Sequence, residues 1–80
     1  MSVTRDELVA FFANDLALET DELEDQTPLY SAGILDSFML LSLLSFLEKK
    51  NGREVPTADI TLDNFDNIER ILAYANAGPG

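Results

Sequence analysis

Leu35-Asp36-Ser37-Phe38 opens the stretch that decides the fold, because an uncharged run from Phe38 to Leu47 follows it in a chain dense in acids. Leu40, Leu43, Leu44 and Leu47 recur at i, i+3, i+4 and i+7, the apolar stripe of a helix that faces a bundle core. Burying each contributes roughly 1.5–3 kcal/mol before the entropy of ordering the chain is subtracted. The spacing predicts a helix over residues 37–51. Asn51-Gly52 is its stop signal, and Lys49 and Lys50 suit its negative C-terminal end. Ser37 falls where the first turn begins. A serine there can cap the helix by accepting a backbone N–H, or present its hydroxyl for modification beside an anion-binding helix terminus.

Phe38, Leu41, Ser42 and Ser45 form a second i, i+3, i+4, i+7 set on roughly the opposite face. One face suffices for a bundle, so this set has two readings. It packs under a neighbouring loop, or it is a docking patch around a modified serine. The patch is the expectation for Leu41, Ser42 and Ser45, while Phe38 fits either.

Outward from this helix, the chain reads as all-α. Thr4 and Glu7 make a capping-box signature, and Leu8, Phe11, Phe12 and Leu16 follow at helical spacing, predicting a first helix over 4–18. Residues 19–36 lack sustained periodicity and contain Pro28 and Gly33; they form a long loop, pinned to the core by Leu23, Leu29 and Tyr30. Pro56 begins a second connection. A short helical turn is expected over 61–65. A last helix over 67–77 carries Ile68, Ile71, Leu72 and Ala75 on one face, and Ala77-Gly78-Pro79-Gly80 reads as a frayed tail. Glu54-Val55-Pro56 is too short and too proline-broken for a strand. The expectation is one domain over residues 1–80, a four-helix bundle with a long first loop and a short third helix.

Composition excludes several classes of function. Hydrophobic residues make up 46% of the 80, enough to fold, and the formal net charge is -10. Arg5 is the only base before Lys49. Such a surface repels nucleic-acid phosphates and anionic lipid and steers basic protein surfaces toward itself; the plainer reading is that it keeps a small protein soluble. There is no cysteine and no histidine. The first absence fits a reducing compartment, and the second removes the commonest general base and metal ligand. No apolar stretch approaches the ~18 residues of a membrane span. A cytoplasmic protein that does not insert in membranes is expected, with nothing pointing to an obligate oligomer.

Self-sufficient chemistry is not expected. A nucleophilic serine needs a neighbouring base, and Lys49 and Lys50 lie more than about three helical turns from Ser37. G-x-S-x-G is absent. Asp21, Glu22, Glu24 and Asp25 read as a solvated loop face. Asp63-Asn64-Phe65-Asp66-Asn67 fails the calcium-loop spacing, which leaves Asp63 and Asp66 turn and capping roles and predicts no metal site. Any reaction at Ser37 must be performed by another enzyme.

Gly33-Ile34-Leu35-Asp36-Ser37-Phe38, set between a long acidic loop and an apolar helix in an acidic chain of this length, resembles an acyl or peptidyl carrier protein. The resemblance covers essentially the whole chain. It implies that Ser37 bears a 4′-phosphopantetheine arm, installed from coenzyme A by a phosphopantetheinyl transferase with magnesium. The arm's thiol then holds cargo as a thioester, and Asp36 helps position the donor or its metal during transfer. An unmodified acidic interaction module, with Ser37 only a cap, is the alternative from another class.

The departures from pattern indicate which carrier. Fatty-acid carriers typically read Gly-x-Asp-Ser-Leu and continue with acids along the helix. Here the glycine lies one residue further back, Phe38 follows the serine, and Met39 and Ser42 stand where acids belong. The stretch is more similar to discrete carriers served by adenylate-forming ligases that activate amino acids or small acids, D-alanyl carriers among them. The resemblance therefore implies an aminoacyl or short acyl cargo passed to a downstream transferase or synthase. Phe38, Met39, Leu41, Ser42 and Ser45 would face partner enzymes. A fatty-acid or polyketide synthase carrier is the runner-up.

Overall fold

The computed structural model describes residues 3–77, in which four helices surround one apolar core. The first, α1 (Arg5–Asn14), starts from the capping box: Thr4 accepts the Glu7 amide, and the Glu7 carboxylate accepts the Thr4 amide. It ends four residues before the periodicity predicts. Asp15 closes it, Ala17 turns at φ 54°, and the Leu18 amide donates back to the Phe12 carbonyl at 3.0 Å. The reason is geometric. On a continued helix, Leu16 and Leu18 would point about 200° apart; the turn lets both pack against the core.

The long loop runs from Asp15 to Asp36 and is followed by α2 (Ser37–Asn51). Gly52, at φ 70°, supplies the left-handed residue that closes α2, a conformation costly for any residue with a Cβ. Leu43, Leu44 and Leu47 of α2 are buried, while Leu40 is half-buried at the edge of the same stripe. A single 3₁₀ turn (Thr57–Asp59), which the sequence pattern did not reveal, precedes α3 (Leu62–Phe65), with Thr61 as the N-cap position outside the helix. The last helix, α4 (Ile68–Asn76), begins at Asn67, whose side chain accepts the Arg70 amide at 2.7 Å. It buries Ile68, Ile71 and Ala75, with Leu72 half-buried. The expected tail at residues 78–80 lies outside the described residues.

Polar clips fasten the helices where apolar packing is thin. The α1–α2 contact rests on Phe11 and Phe46, stacked with ring centroids 4.5 Å apart. Lys50 adds to it by pairing with Glu7 and lying 5.9 Å from the Phe46 ring centre. The Asn76 side chain both accepts from the Val3 amide and donates to its carbonyl, joining the start of the described chain to α4. Tyr74 of α4 packs against Phe65 and donates to Asp59 at 2.7 Å, holding the second connection against the bundle.

Candidate functional site

The Asp-Ser pair of the sequence motif sits at the junction of the long loop and α2. Asp36 has an extended backbone and occupies the N-cap, its Oδ1 accepting the Met39 amide at 2.9 Å. This corrects the option that Ser37 caps the helix. Capping requires a non-helical backbone one position before the first turn, and Asp36 holds that position. Ser37 is the first helical residue and is exposed.

The approach to this junction is fixed by two buried leucines. Leu29 and Leu35 are both core residues, and the Leu29 carbonyl accepts the amides of Ile34 and Leu35 at 2.8 and 3.0 Å. Between them the chain turns outward through Gly33, at φ 78°. Tyr30 does not pin the loop by burial as expected: it is exposed, and its main chain is what is tied down, the amide donating to Asp66 Oδ1 and the carbonyl accepting from Gly33. Asp66 also accepts the Ser31 amide and hydroxyl, at 2.8 and 2.7 Å. Those Ser31 donors, with the Tyr30 amide, hold the Asp66 carboxyl below its usual value. Sequence pattern gave Asp66 only a turn role, since nothing in helical spacing reveals a partner 35 residues away.

Beyond Ser37, α2 presents an apolar surface to solvent. Phe38 is 82% exposed and Leu41 is 62% exposed, which removes the reading that Phe38 packs under the loop. Ser42 and Ser45 are exposed on the same helix. Met39 differs from the other expected partner-facing residues: it is half-buried and packs against the core. Leu40, about one turn from Ser37, lines a shallow cleft of about 250 Å³ with Tyr30, Ile60, Leu62 and Phe65. The cleft's lip carries the exposed Leu62, a contribution from α3 that the sequence reading did not include. Among the described residues no group of acidic side chains is placed to hold a metal ion, and no helix is long and apolar enough to cross a membrane.

Comparison with known proteins gives the family. The family described as "Phosphopantetheine attachment site" matches residues 6–75, which reaches from the second residue of α1 to the last but one of α4. The chain belongs to this family. No curated protein matches the sequence significantly. A chain in a solved structure described as "Crystal structure of FAD-dependent dehydrogenase" superposes with a TM-score of 0.74 at 34% identity, over 84% of this chain and 96% of that one.

Membership in this phosphopantetheine-binding family makes the protein a non-catalytic carrier, which holds acyl groups on a covalently attached 4′-phosphopantetheine. Such carriers are modified by phosphopantetheinyl transferases and interact with synthase and ligase enzymes. The residues around Asp36 and Ser37 fit that group. Of the five serines, Ser42 and Ser45 lie inside α2, the Ser31 hydroxyl is held by Asp66, and Ser2 lies outside the described residues. Ser37 alone among the described serines opens a helix, with capping already supplied by its neighbour. The phosphodiester would lie at the N-terminal end of a 15-residue helix, where unpaired N–H groups and the helix dipole favour an anion. The bound group supplies the thiol that this cysteine-free chain lacks.

Proposed function

We propose that the protein is a carrier whose arm is attached to Ser37. It holds an aminoacyl or short acyl group as a thioester and delivers it from an adenylate-forming ligase to a downstream enzyme. The observation that carries this reading is the pairing of a capping Asp36 with an exposed Ser37 at the head of α2. Asp36 orients the coenzyme A donor or its magnesium while the arm is installed, and afterwards keeps only its cap on α2.

The uncharged surface beyond Ser37 supports the ligase-served class. Phe38, Leu41, Ser42 and Ser45 offer shape and apolar area rather than charge, and Leu62 extends that area. Met39 contributes only its exposed edge. The acids of α1 and the long loop then steer encounter without entering the contact. The protein acts as a cytoplasmic monomer, in keeping with its lack of cysteine. The similar chain's structure is described as an FAD-dependent dehydrogenase, so an enzyme of that kind is the proposed downstream partner. Flavins carry hydride chemistry, and a thioester carbonyl acidifies the neighbouring C–H that such an enzyme would oxidise.

Loading tests the reading. The arm-bearing protein is incubated with ATP, candidate amino acids or short acids, and adenylate-forming ligases, and thioester formation is followed by intact mass. Wild type is expected to load and Ser37→Ala to stay unloaded. Leu41→Asp and Ser42→Glu are expected to weaken ligase binding. Stronger binding by these acidic variants would count for a fatty-acid or polyketide carrier instead.

A further inference from the structure

Asp66 sits where α3 ends and α4 is about to begin, yet its side-chain hydrogen bonds go to the loop that leads to Ser37. Its main chain takes part as well, the carbonyl accepting the Leu29 amide at 2.7 Å. Three consecutive residues, Leu29, Tyr30 and Ser31, are therefore held by one aspartate. The segment they start is closed on itself. The Leu29 carbonyl accepts from Ile34 and Leu35, and the Gly33 amide donates to the Tyr30 carbonyl at 3.1 Å. Leu35 is buried, Asp36 caps, and Ser37 follows.

We propose that Asp66 is a positioning residue for arm attachment: by clamping Tyr30 and Ser31 it fixes the exposed turn over residues 30–33 that leads to Ser37 and that the modifying transferase meets as it docks. This rests on the reading of Ser37 as the attachment serine. The energetic layout separates the role from ordinary stabilisation. Leu29 and Leu35 are held by burial whatever stands at position 66, whereas Tyr30 and Ser31 are exposed and held only through hydrogen bonds. Water can replace those bonds at little cost in folding free energy, because the groups are solvated once released. Removing the carboxylate thus loosens the turn between two fixed points and leaves the core intact. The same clamp sets Tyr30 at the rim of the cleft beside Leu40 and Leu62.

The test is steady-state arm transfer from coenzyme A, with magnesium and a promiscuous phosphopantetheinyl transferase, at a temperature where every variant is folded. Asp66→Ala is expected to raise the KM for the carrier several-fold while kcat changes little, because docking geometry is disturbed and the reacting hydroxyl is intact. Asp66→Asn keeps an oxygen for the two amides and should restore most of the loss. Ser31→Ala removes one bond and should fall between. A wild-type KM for Asp66→Ala overturns the proposal, and so does a loss shared equally by Asp66→Asn. The Ala32 and Gly33 amide resonances are the second readout: they should move in Asp66→Ala and stay near wild type in Asp66→Asn, while the Ser37 amide, beyond the anchored Leu35, stays near wild type in both. If wild type gains no arm at Ser37, the functional reading falls, while the resonances still decide whether Asp66 sets the turn that leads to it.

Discussion

Asp36 and Met39 are joined across the first turn of α2, carboxylate Oδ1 to backbone N–H at 2.9 Å, and this contact frees the serine between them. Replacing an N-cap aspartate by alanine costs about 0.5–2 kcal/mol. Asp36→Ala should therefore lower stability by that order in urea unfolding. Ser37→Ala should be within about 0.5 kcal/mol of wild type, as for exposed positions without a special role. The opposite ranking would return the cap to Ser37 and revive the unmodified-module reading.

The exposed aromatic at position 38 separates binding from folding. At 82% exposure it contributes little to the core, so Phe38→Ala should leave the melting temperature nearly unchanged. If Phe38 enters a partner's pocket, the same change should weaken ligase binding by about 2 kcal/mol, the usual threshold of an interface hot spot. Calorimetric titration of the ligase with each variant reads this directly, and equal affinities would remove Phe38 from the contact.

Core substitutions should divide by burial rather than by residue type. Leu43 and Ile71 are fully buried, and truncating either to alanine should cost about 2–5 kcal/mol. That is a large part of the roughly 5–15 kcal/mol that holds a small domain together. Leu40→Ala and Leu72→Ala, at half-buried positions, should cost distinctly less. Denaturant midpoints of the four variants check the order.

Two carboxyls and one phenol tie a modest part of the fold's stability to pH. Lys50 hydrogen-bonded to Glu7, and Ser31 to Asp66, hold these carboxyls below their ordinary values of 4.5 and 3.8. Their stabilisation is thus present above those values and disappears as pH falls below them and the folded carboxyls take up protons. Burial, reinforced by the bond to Asp59, pushes the Tyr74 phenol up to about 12 from 10.0. Its contribution is complete below pH 10 and is lost as pH rises through about 12. Unfolding followed from pH 2 upward should show the acid loss, reduced in a Glu7→Gln, Asp66→Asn double variant. Phenolate absorbance of Tyr30→Phe, which leaves Tyr74 as the single tyrosine, should titrate near 12.

The helices were legible where one local signal sufficed. Leucine spacing and the Asn51-Gly52 stop define α2, and the Thr4–Glu7 box starts α1. The end of α1 was not legible, because Leu16 continues the helical spacing and only tertiary packing favours the turn at Ala17. The 3₁₀ turn at Thr57–Asp59 escaped for a similar reason: it is held by contacts such as Tyr74 to Asp59, which no short-range pattern reveals. At the site, helical phase sets Leu41, Ser42 and Ser45 outward, while the exposure of Phe38 and the cap at Asp36 emerge only from the fold. Asp66 and Leu62 belong to elements brought there by folding, and the inward tilt of Met39 depends on packing that spacing does not specify.

The central claim is that Ser37 is the tether for the arm. Intact mass spectrometry after incubation with coenzyme A, magnesium and a promiscuous phosphopantetheinyl transferase, followed by peptide mapping, tests it most directly. The account predicts a mass gain of one phosphopantetheine, located on the peptide containing Ser37 and missing from Ser37→Ala. An unchanged mass, or the group found on another serine, would contradict it.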